Sequence, residues 1–200
     1  DHSQHVDELI MFADEAMYQG KKTGKNKYVF FNDEMQKRFT QRTHLGNELK
    51  HAVDRGQLRL NYQPIFNLAN MRCEKIEALL RWQHPERGMI SPALFIPIAE
   101  ENGTILDLGH WVFNQVLSDF ERLTNRFGEV EICINISPLQ FVHPEGIDAF
   151  IANLQAKGIS GRRICFEITE GILLEPSKHV KQTLSKISDE GIRLAVDDFG

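Results

Sequence analysis

The second half of the chain alternates between two spacings of apolar residues. Four short runs have the composition and alternation of β-strands: CEKIEALLRW (73–82), VEICINIS (130–137), RICFEITE (163–170) and IRLAVDDFG (192–200). Three runs with helical spacing lie between them, at residues 108–128, 144–158 and 177–191. Strands that alternate with helices of this length predict an α/β fold, in which helices cover a parallel sheet.

The main domain is predicted to begin upstream of these strands, at residue 44. A helical pattern in HLGNELKHAVDRGQ (44–57) leads into LRLNYQPIFNL (58–68), where apolar and polar residues alternate as in a strand. The connection between the first two of the four later strands is long enough for an inserted segment at residues 84–103. Residues 33–43, DEMQKRFTQRT, carry charges of both signs and predict a linker or a connecting helix.

The first 32 residues have the pattern of one helix followed by one strand. The helix is predicted to end at Gly20 and Gly24, and YVFF (28–31) has strand composition. The apolar face of the helix is predicted from three- and four-residue spacing: Val6, Leu9, Ile10, Ala13, Ala16 and Met17. One helix and one strand bury too little surface to fold alone. We therefore expect residues 1–32 to be the tail of a domain whose body precedes Asp1.

Composition and charge are those of an ordinary globular chain, 42% hydrophobic and 26% charged. A net charge of −5 provides no basic surface of the kind that duplex nucleic acid requires. No apolar stretch approaches the roughly 20 residues of a membrane span, and the polar start lacks the layout of a signal peptide. We expect this part to be cytoplasmic, although upstream segments of a parent protein could anchor it to a membrane.

Three widely separated cysteines, Cys73, Cys133 and Cys165, lie inside strand-like runs. An odd number of cysteines in such runs predicts reduced, buried thiols rather than a disulfide framework. The chain has no CxxC pair and no histidine at ligand spacing, which argues against a thiolate metal site.

Polar side chains cluster at the carboxyl ends of the predicted strands. Asn135, Glu167 and the pair Asp197 and Asp198 each close an apolar run, and Glu77 lies slightly deeper in its strand. Parallel sheets, open or closed into a barrel, place their sites at this end. We therefore expect these side chains to meet. The simpler alternative is that each acid faces solvent or pairs with an arginine.

The residues beneath these oxygen donors are small or soft. Strand alternation places Cys133 with Asn135, Cys165 with Glu167, and Ala195 with Asp197. A layer of thiol and methyl groups is therefore predicted directly below the donors.

Carboxylates gathered at one sheet end require a cation. Two like charges about 4 Å apart repel by about 4 kcal/mol at an effective dielectric near 20. Oxygen donors without thiolate or histidine favour Mg²⁺ or Mn²⁺ over Zn²⁺ or copper. Adjacent aspartates can serve two ions, and paired ions are a common device for attack on a phosphodiester. These residues favour a metal-dependent phosphate-ester hydrolase.

Three further polar residues flank the predicted site. Arg81 follows Glu77 by four residues on the same strand face and could grip a phosphate, or simply pair with a glutamate. Gln63 in NYQPI could contact a ligand or cap backbone groups. Glu170 lies three residues after Glu167 and could orient a loop.

Six motifs in this order resemble the EAL domain family of bacterial cyclic di-GMP phosphodiesterases. They are YQPI, EALLRW, SPALFIPIAEENG, NIS, FEITE and VDDFG, and they span about Leu45 to Gly200. The leading segment, with ADEAMY followed by KKTGKNKY, resembles the carboxyl end of the GGDEF domain of diguanylate cyclases. The predicted organisation is a GGDEF remnant at 1–32, a linker at 33–43 and the first part of an EAL domain at 44–200.

The resemblance implies a TIM-like (β/α)₈ barrel whose first strand runs opposite to the others. It implies two Mg²⁺ or Mn²⁺ ions bound by Glu77, Asn135, Glu167 and Asp197, with Asp198 on the second ion. Metal-activated water would then open cyclic di-GMP to linear pGpG. The resemblance allows a homodimer through the EAL domain and upstream GGDEF or sensor domains in the parent.

The same resemblance assigns roles to the flanking residues. Gln63 and Arg81 would contact substrate, Leu79 would pack near a guanine, and Glu170 would hold the loop that begins at Asp198. Glu77, Asp197, Asp198 and Glu170 thereby form the predicted catalytic set.

The predicted barrel is incomplete in this chain. A (β/α)₈ barrel takes about 250 residues, so roughly five of its eight strands are expected here. The lysine, glutamate and glutamine that the family takes from later strands would lie beyond Gly200. We expect the fragment alone not to turn over substrate. An EAL domain that has lost a downstream catalytic residue and only binds the nucleotide is the alternative function.

Overall fold

A computed structural model describes residues 9–10, 12–14, 16–17, 20, 28–174 and 177–197. It divides the chain into two compact units, Asp1–Glu48 and Leu49–Gly200. Among the described residues, no helix combines the length and the apolar composition needed to cross a membrane.

The described residues between 9 and 20 are helical, as predicted, but the helix buries a different face. Phe12 and Ala16 are buried, whereas Leu9, Ile10 and Met17 are about half exposed. Phe12 stacks on Phe31 with ring centroids 4.2 Å apart, and this aromatic contact sets the buried side. Of the described members of the predicted face, Ala16 is therefore buried as predicted, whereas Leu9, Ile10, Ala13 and Met17 are exposed. Its first member, Val6, and the predicted terminator Gly24 lie outside the described residues, and Gly20 is still helical.

The strand predicted for YVFF does not form. Residues 28–32 have no regular secondary structure, and Tyr28 and Phe30 are almost fully exposed. A strand requires a neighbour for its backbone hydrogen bonds, and the described part of this unit contains none. The strand-like composition of YVFF was therefore not enough to form a strand.

Helix α1 (Asp33–Lys50) includes the polar segment that was predicted as a linker or a connecting helix. It begins after Asn32, whose side-chain Oδ1 accepts a hydrogen bond from the Met35 amide at 3.0 Å. Asp33 and Glu34 in the first turn and Lys50 in the last turn complement the helix dipole. The polar segment is helical because helix α1, which contains it, has favourable charges in its first and last turns.

The unit Leu49–Gly200 alternates strands and helices as predicted. Its strands are β1 (Leu58–Asn67), β2 (Arg72–His84), β3 (Gly88–Ile90), β4 (Glu131–Asn135), β5 (Ile164–Thr169) and β6 (Arg193–Asp197). Its helices are α2 (Pro92–Asn102), α3 (Ile105–Phe127), α4 (Pro138–Val142), α5 (Glu145–Ala156), a 3₁₀ turn (Gly161–Arg163), α6 (Glu170–Leu174) and α7 (Lys178–Asp189).

The strands form one mixed sheet in the order β1-β2-β4-β5-β6, with β3 paired to β2. Strand β1 is antiparallel to β2, whereas β2, β4, β5 and β6 are mutually parallel. The reversed first strand confirms what the family resemblance implied. The segment predicted as an insertion forms β3 and α2, and Trp82 of β2 packs edge-on against Phe95 of α2 at 5.7 Å.

The main core lies between one face of the sheet and the helices. Ile76, Ile134 and Phe166 alternate along their strands with polar residues and are fully buried. Phe166 packs against Phe113 of α3 and Phe150 of α5, with ring centroids 5.7 and 5.8 Å away. This packing fixes which strand positions face the helices, so the intervening positions face the opposite side.

Strand β1 is tied to α3 by a polar contact within this unit. The Tyr62 hydroxyl donates a hydrogen bond to Asp119 Oδ2 at 2.9 Å. Burial alone would raise the pKa of Asp119, but hydrogen bonds from Gln115, Arg122 and Tyr62 outweigh it and lower that pKa. The carboxylate therefore stays ionised and holds Tyr62 on the helix side of the sheet.

Two glycines provide a matched test of packing. A Cβ on Gly161 would lie 2.0 Å from the backbone carbonyl oxygen of Glu190, whereas a Cβ on Gly171, in α6, meets nothing within 4 Å. We expect Gly161→Ala to lower the free energy of unfolding by about 1–3 kcal/mol, because backbone must move. Gly171→Ala should raise it by about 0.5–1 kcal/mol through helix propensity. Urea unfolding curves of both variants check this, and equal effects would contradict it.

Candidate active site

Strand register brings the predicted polar residues together on the face away from the helices. Asn135 of β4 is in register with Glu167 of β5, and Glu77 of β2 is in register with Cys133, two residues before Asn135. Parallel pairing therefore aligns oxygen donors from three strands along the carboxyl end of the sheet. The register therefore places Asn135 beside Glu167 and two residues beyond the level of Glu77.

A direct hydrogen bond links two of these strands at the site. Asn135 Nδ2 donates to Glu77 Oε1 at 2.9 Å, although the two residues are 58 positions apart in the chain. Glu77 and Glu167 are half-buried and Asn135 is exposed, so this edge opens to solvent. The bond uses the amide nitrogen and fixes the Glu77 carboxylate toward β4.

The two predicted aspartates lie at the end of the described chain. Asp197 closes β6, and its backbone is in register with Thr169, two residues beyond Glu167. By strand alternation, position 197 therefore belongs to the same face of the sheet as Glu167. Asp198 lies outside the described residues.

The soft layer below the donors is partly as predicted. Cys133 and Cys165 are buried and in register on neighbouring strands, each two residues before Asn135 or Glu167. A hydrogen bond with Cys165, then burial and the charge of Glu167, raise the pKa of the Cys133 thiol. Both thiols are reduced, as expected.

The predicted place of Ala195 in this layer was wrong. Ala195 is in register with Glu167, and Arg193 is the residue in register with Cys165. Strand β6 is therefore staggered by one two-residue step relative to the prediction, as barrel shear requires.

Strand β1 contributes a row of polar side chains to the same face. Gln63 pairs directly with Glu77 in the antiparallel register. On the same face, the next two pairs toward the carboxyl end of β2 are Asn61 with Leu79 and Arg59 with Arg81. Gln63 therefore lies beside the donors as predicted, and Leu79 and Arg81 lie between it and the rim.

Sequence reasoning missed Arg59 and Asn61. Alternation from Gln63 would have placed both on the site face. Arg81 Nη1 donates to the Leu80 carbonyl at 3.0 Å, and both Arg59 and Arg81 have solvent access. Like charges at directly opposed positions are unfavourable in a sheet. A pair of guanidinium groups beside carboxylates therefore favours an anionic ligand that lies between them.

The loop after Asn135 is held by two contacts that the sequence analysis did not assign. Ser137 Oγ donates to Glu100 Oε1 of α2 at 2.7 Å. The Ser137 amide donates to Gln140 Oε1 at 3.0 Å, as part of a capping box that starts α4. The S-P-L-Q sequence carries the capping signal. Together the two contacts fix the backbone that follows Asn135.

Glu170 lies one residue after β5 and is the first residue of α6. Its side chain is exposed. The loop that it was predicted to hold begins at Asp198, outside the described residues.

The donor set fits a hard divalent cation. Glu77 and Glu167 supply carboxylate oxygens, and Asn135 supplies an amide oxygen on the same edge. Mg²⁺ and Mn²⁺ prefer such ligands. The cation would also offset the repulsion between the two carboxylates.

Comparison with known proteins decides the family. The EAL domain model matches residues 46–200. The chain belongs to the EAL domain family. Its mixed sheet and flanking helices are accordingly the TIM-barrel-like α/β fold of EAL domains, with the reversed first strand.

Relatives of this EAL domain include cyclic di-GMP phosphodiesterases. The bifunctional diguanylate cyclase/cyclic di-GMP phosphodiesterase MucR of Pseudomonas aeruginosa is 34% identical over 96% of this chain and 28% of its own length. The cyclic di-GMP phosphodiesterase PdeR of Escherichia coli is 32% identical over 100% of this chain and 30% of its own length. The chain spans about a quarter of the length of the curated relatives it matches.

Two solved structures share the fold of this chain. The PaMucR phosphodiesterase in complex with c-di-GMP has a TM-score of 0.72 and 32% identity, over 78% of this chain and 64% of that one. Klebsiella pneumoniae BlrP1, solved as a manganese and cyclic di-GMP complex, shares the fold with a TM-score of 0.58 and 23% identity, over 72% of this chain and 35% of that one. A manganese and cyclic di-GMP complex therefore exists for a protein that shares this fold.

Proposed function

We propose that this chain is part of a phosphodiesterase that hydrolyses cyclic di-GMP to linear pGpG. The observation that carries the proposal is the position of Asn135, which is in register with Glu167 and hydrogen-bonded to Glu77. The site combines oxygen donors with a pair of arginines, and relatives at 32–34% identity are named as enzymes of this class.

Two ions, Mg²⁺ or Mn²⁺, are proposed as cofactors. Glu77, Asn135, Glu167 and Asp197 would be ligands, and Asp198 would serve the second ion. When bound, such ions supply a Lewis acid and an activated water for attack on phosphorus. The residues of this chain orient the ligands. Asn135 Nδ2 holds the Glu77 carboxylate, and the Ser137 contacts hold the loop after Asn135.

The remaining residues are proposed to bind the dinucleotide. Arg81 and Arg59 would hold a phosphate between them, because their strand positions are directly opposed. Gln63 would bond to substrate beside Glu77, and Leu79, one step nearer the rim, would pack near a guanine. Glu170 would hold the loop at Asp198.

The direct test is chromatography of cyclic di-GMP incubated with the protein at its full natural length and Mg²⁺. Appearance of linear pGpG is expected. Binding of the dinucleotide without turnover would contradict the enzyme and indicate a receptor. Absence of both binding and turnover would contradict the whole proposal.

Loss of the Arg81 guanidinium should weaken substrate binding. A charge-assisted hydrogen bond contributes about 1.5–3 kcal/mol, so Arg81→Ala should raise KM for cyclic di-GMP about 10- to 100-fold. Arg59→Ala should act in the same direction. Arg72→Ala is the matched control, since Arg72 is exposed at the amino end of the same strand, nine positions from Arg81. An unchanged KM in both site variants would exclude the arginine pair from substrate binding.

Domain organisation is proposed from the resemblance of the leading segment. Residues 1–32 would be the end of a GGDEF domain that precedes the EAL domain, with residues 33–43 as the connection. Dimerisation would use the EAL domain.

A further inference from the structure

A second cluster of metal-ligating side chains lies deeper in the sheet than the oxygen donors. Ligand atoms of Glu131, Cys133 and Cys165 all lie within 4.8 Å of one another. The three residues are 8%, 0% and 2% exposed. Cys133 and Cys165 are 32 positions apart in the chain and meet only because β4 and β5 pair in register. For this reason the lack of a CxxC motif does not exclude a thiolate site.

One carboxylate oxygen of this cluster is buried without a hydrogen bond. Glu131 Oε2 is bonded by Arg193 Nε of β6. Within the described part of the chain Glu131 Oε1 accepts no hydrogen bond, and it forms an ion pair with Lys75 Nζ at 3.4 Å. A buried carboxylate oxygen without a hydrogen bond can gain from a bound ligand. Glu131 belongs to the same cluster as the two thiols.

We propose that Cys133 Sγ, Cys165 Sγ and Glu131 Oε1 form a binding site for a thiophilic divalent cation of the Zn²⁺ and Cd²⁺ class. Zinc binds sulfur at about 2.3 Å and carboxylate oxygen at about 2.0–2.2 Å, so ligand atoms around it are closer together than 4.8 Å. Small side-chain movements toward a common centre bring the three atoms to that geometry. A water molecule completes four-fold coordination.

The carboxylate of this cluster lies beside two positively charged side chains. Without metal, the Glu131 carboxylate faces two cations, Lys75 and Arg193. A thiol that binds the divalent cation does so as a thiolate, and its proton is released to solvent. The side chains of Lys75 and Arg193, which contact Glu131, are 36% and 58% exposed.

The cluster differs from the oxygen site in its chemistry. Thiolates select Zn²⁺ and Cd²⁺, whereas carboxylate and amide oxygens suit Mg²⁺ and Mn²⁺. An excess of Mg²⁺ should therefore fill the upper site and leave the thiol site open to the softer ion. The two sites can be titrated separately in one protein.

Titration with Cd²⁺ in excess Mg²⁺ tests the assignment on the protein at its full natural length, stripped of metal and kept reduced. Near-ultraviolet thiolate-to-cadmium absorbance should grow to one ion per copy of this chain. Cys133→Ser and Cys165→Ser should each weaken Cd²⁺ binding by at least the roughly 10- to 100-fold that loss of an outer-shell partner costs. Glu131→Gln should keep the absorbance and also weaken binding.

Cys73→Ser is the matched control. Cys73 is half-buried on β2 and its thiol donates to the Lys75 carbonyl, so its replacement should leave the titration unchanged. Absorbance that depends on Cys73, or that survives loss of Cys133 and Cys165, would overturn the site. Cd²⁺ affinity unchanged by Glu131→Gln would remove the carboxylate from it.

A measurement on the unmutated protein avoids variants that fail to fold. X-ray absorption of the Zn²⁺-loaded protein, in excess Mg²⁺, should show two sulfur neighbours at about 2.3 Å and lighter neighbours at about 2.0–2.2 Å. A zinc shell of oxygen and nitrogen alone would overturn the proposal.

Discussion

Glu77→Gln is expected to abolish hydrolysis of cyclic di-GMP. Glutamine keeps the Oε1 acceptor for Asn135 Nδ2, so the link between β2 and β4 survives while the negative charge is lost. A neutral amide is a poorer ligand for Mg²⁺ or Mn²⁺. Turnover should fall by about 10²–10³-fold or more, the cost of removing one key electrostatic group from an active site. Chromatography of pGpG and Mn²⁺ binding by electron paramagnetic resonance measure the two effects.

Glu74→Gln is the control for Glu77→Gln. Glu74 lies on the same strand, where the pairing with β1 shifts register, and it accepts a hydrogen bond from Asn67 Nδ2 at 2.7 Å. Its turnover and Mn²⁺ affinity should match those of the unmodified protein. Full activity of Glu77→Gln would show that the carboxylates meet for a structural reason only.

Phe166→Ala is expected to be the most destabilising single change in the sheet. Phe166 is fully buried and packs against Phe113 and Phe150, so truncation removes apolar contacts and leaves a cavity between the sheet and two helices. Phe→Ala changes in cores cost about 3–5 kcal/mol. Urea unfolding of the chain, followed by the fluorescence of its two tryptophans, measures the loss.

Phe66→Ala supplies the comparison for this prediction. Phe66 lies on β1 and is 49% exposed. Its replacement should cost less than about 1 kcal/mol, since half of the ring is already in water. Equal costs for the two variants would mean that the aromatic cluster does not hold the sheet to its helices.

Strand periodicity predicted the architecture of the main unit because tertiary packing agrees with local pattern there. Apolar runs with a polar terminal residue became β4, β5 and β6, and register then aligned Asn135 with Glu167. The same alternation predicted that Cys133 and Cys165 lie below them. Parallel pairing of similar runs leaves few other registers that keep the apolar face buried.

The features that the sequence did not predict depend on contacts between distant segments. The buried side of the first helix is set by Phe12 on Phe31, and YVFF has no partner strand among the residues that the structure describes. The stagger that separates Ala195 from the cysteine layer is a property of the whole sheet. Arg59 and Asn61 were missed because they become part of the site only through pairing with β2.

Strand β2 has consequences for the order in which the chain folds. It pairs with β1 through a short turn, whereas its pairing with β4 joins Glu77 to a residue 58 positions away. Closing the larger loop costs more chain entropy and slows that step. The hairpin should therefore gain amide protection early in refolding, and the edge on which Glu77 meets Asn135 should be completed only when helices α2 and α3 have docked.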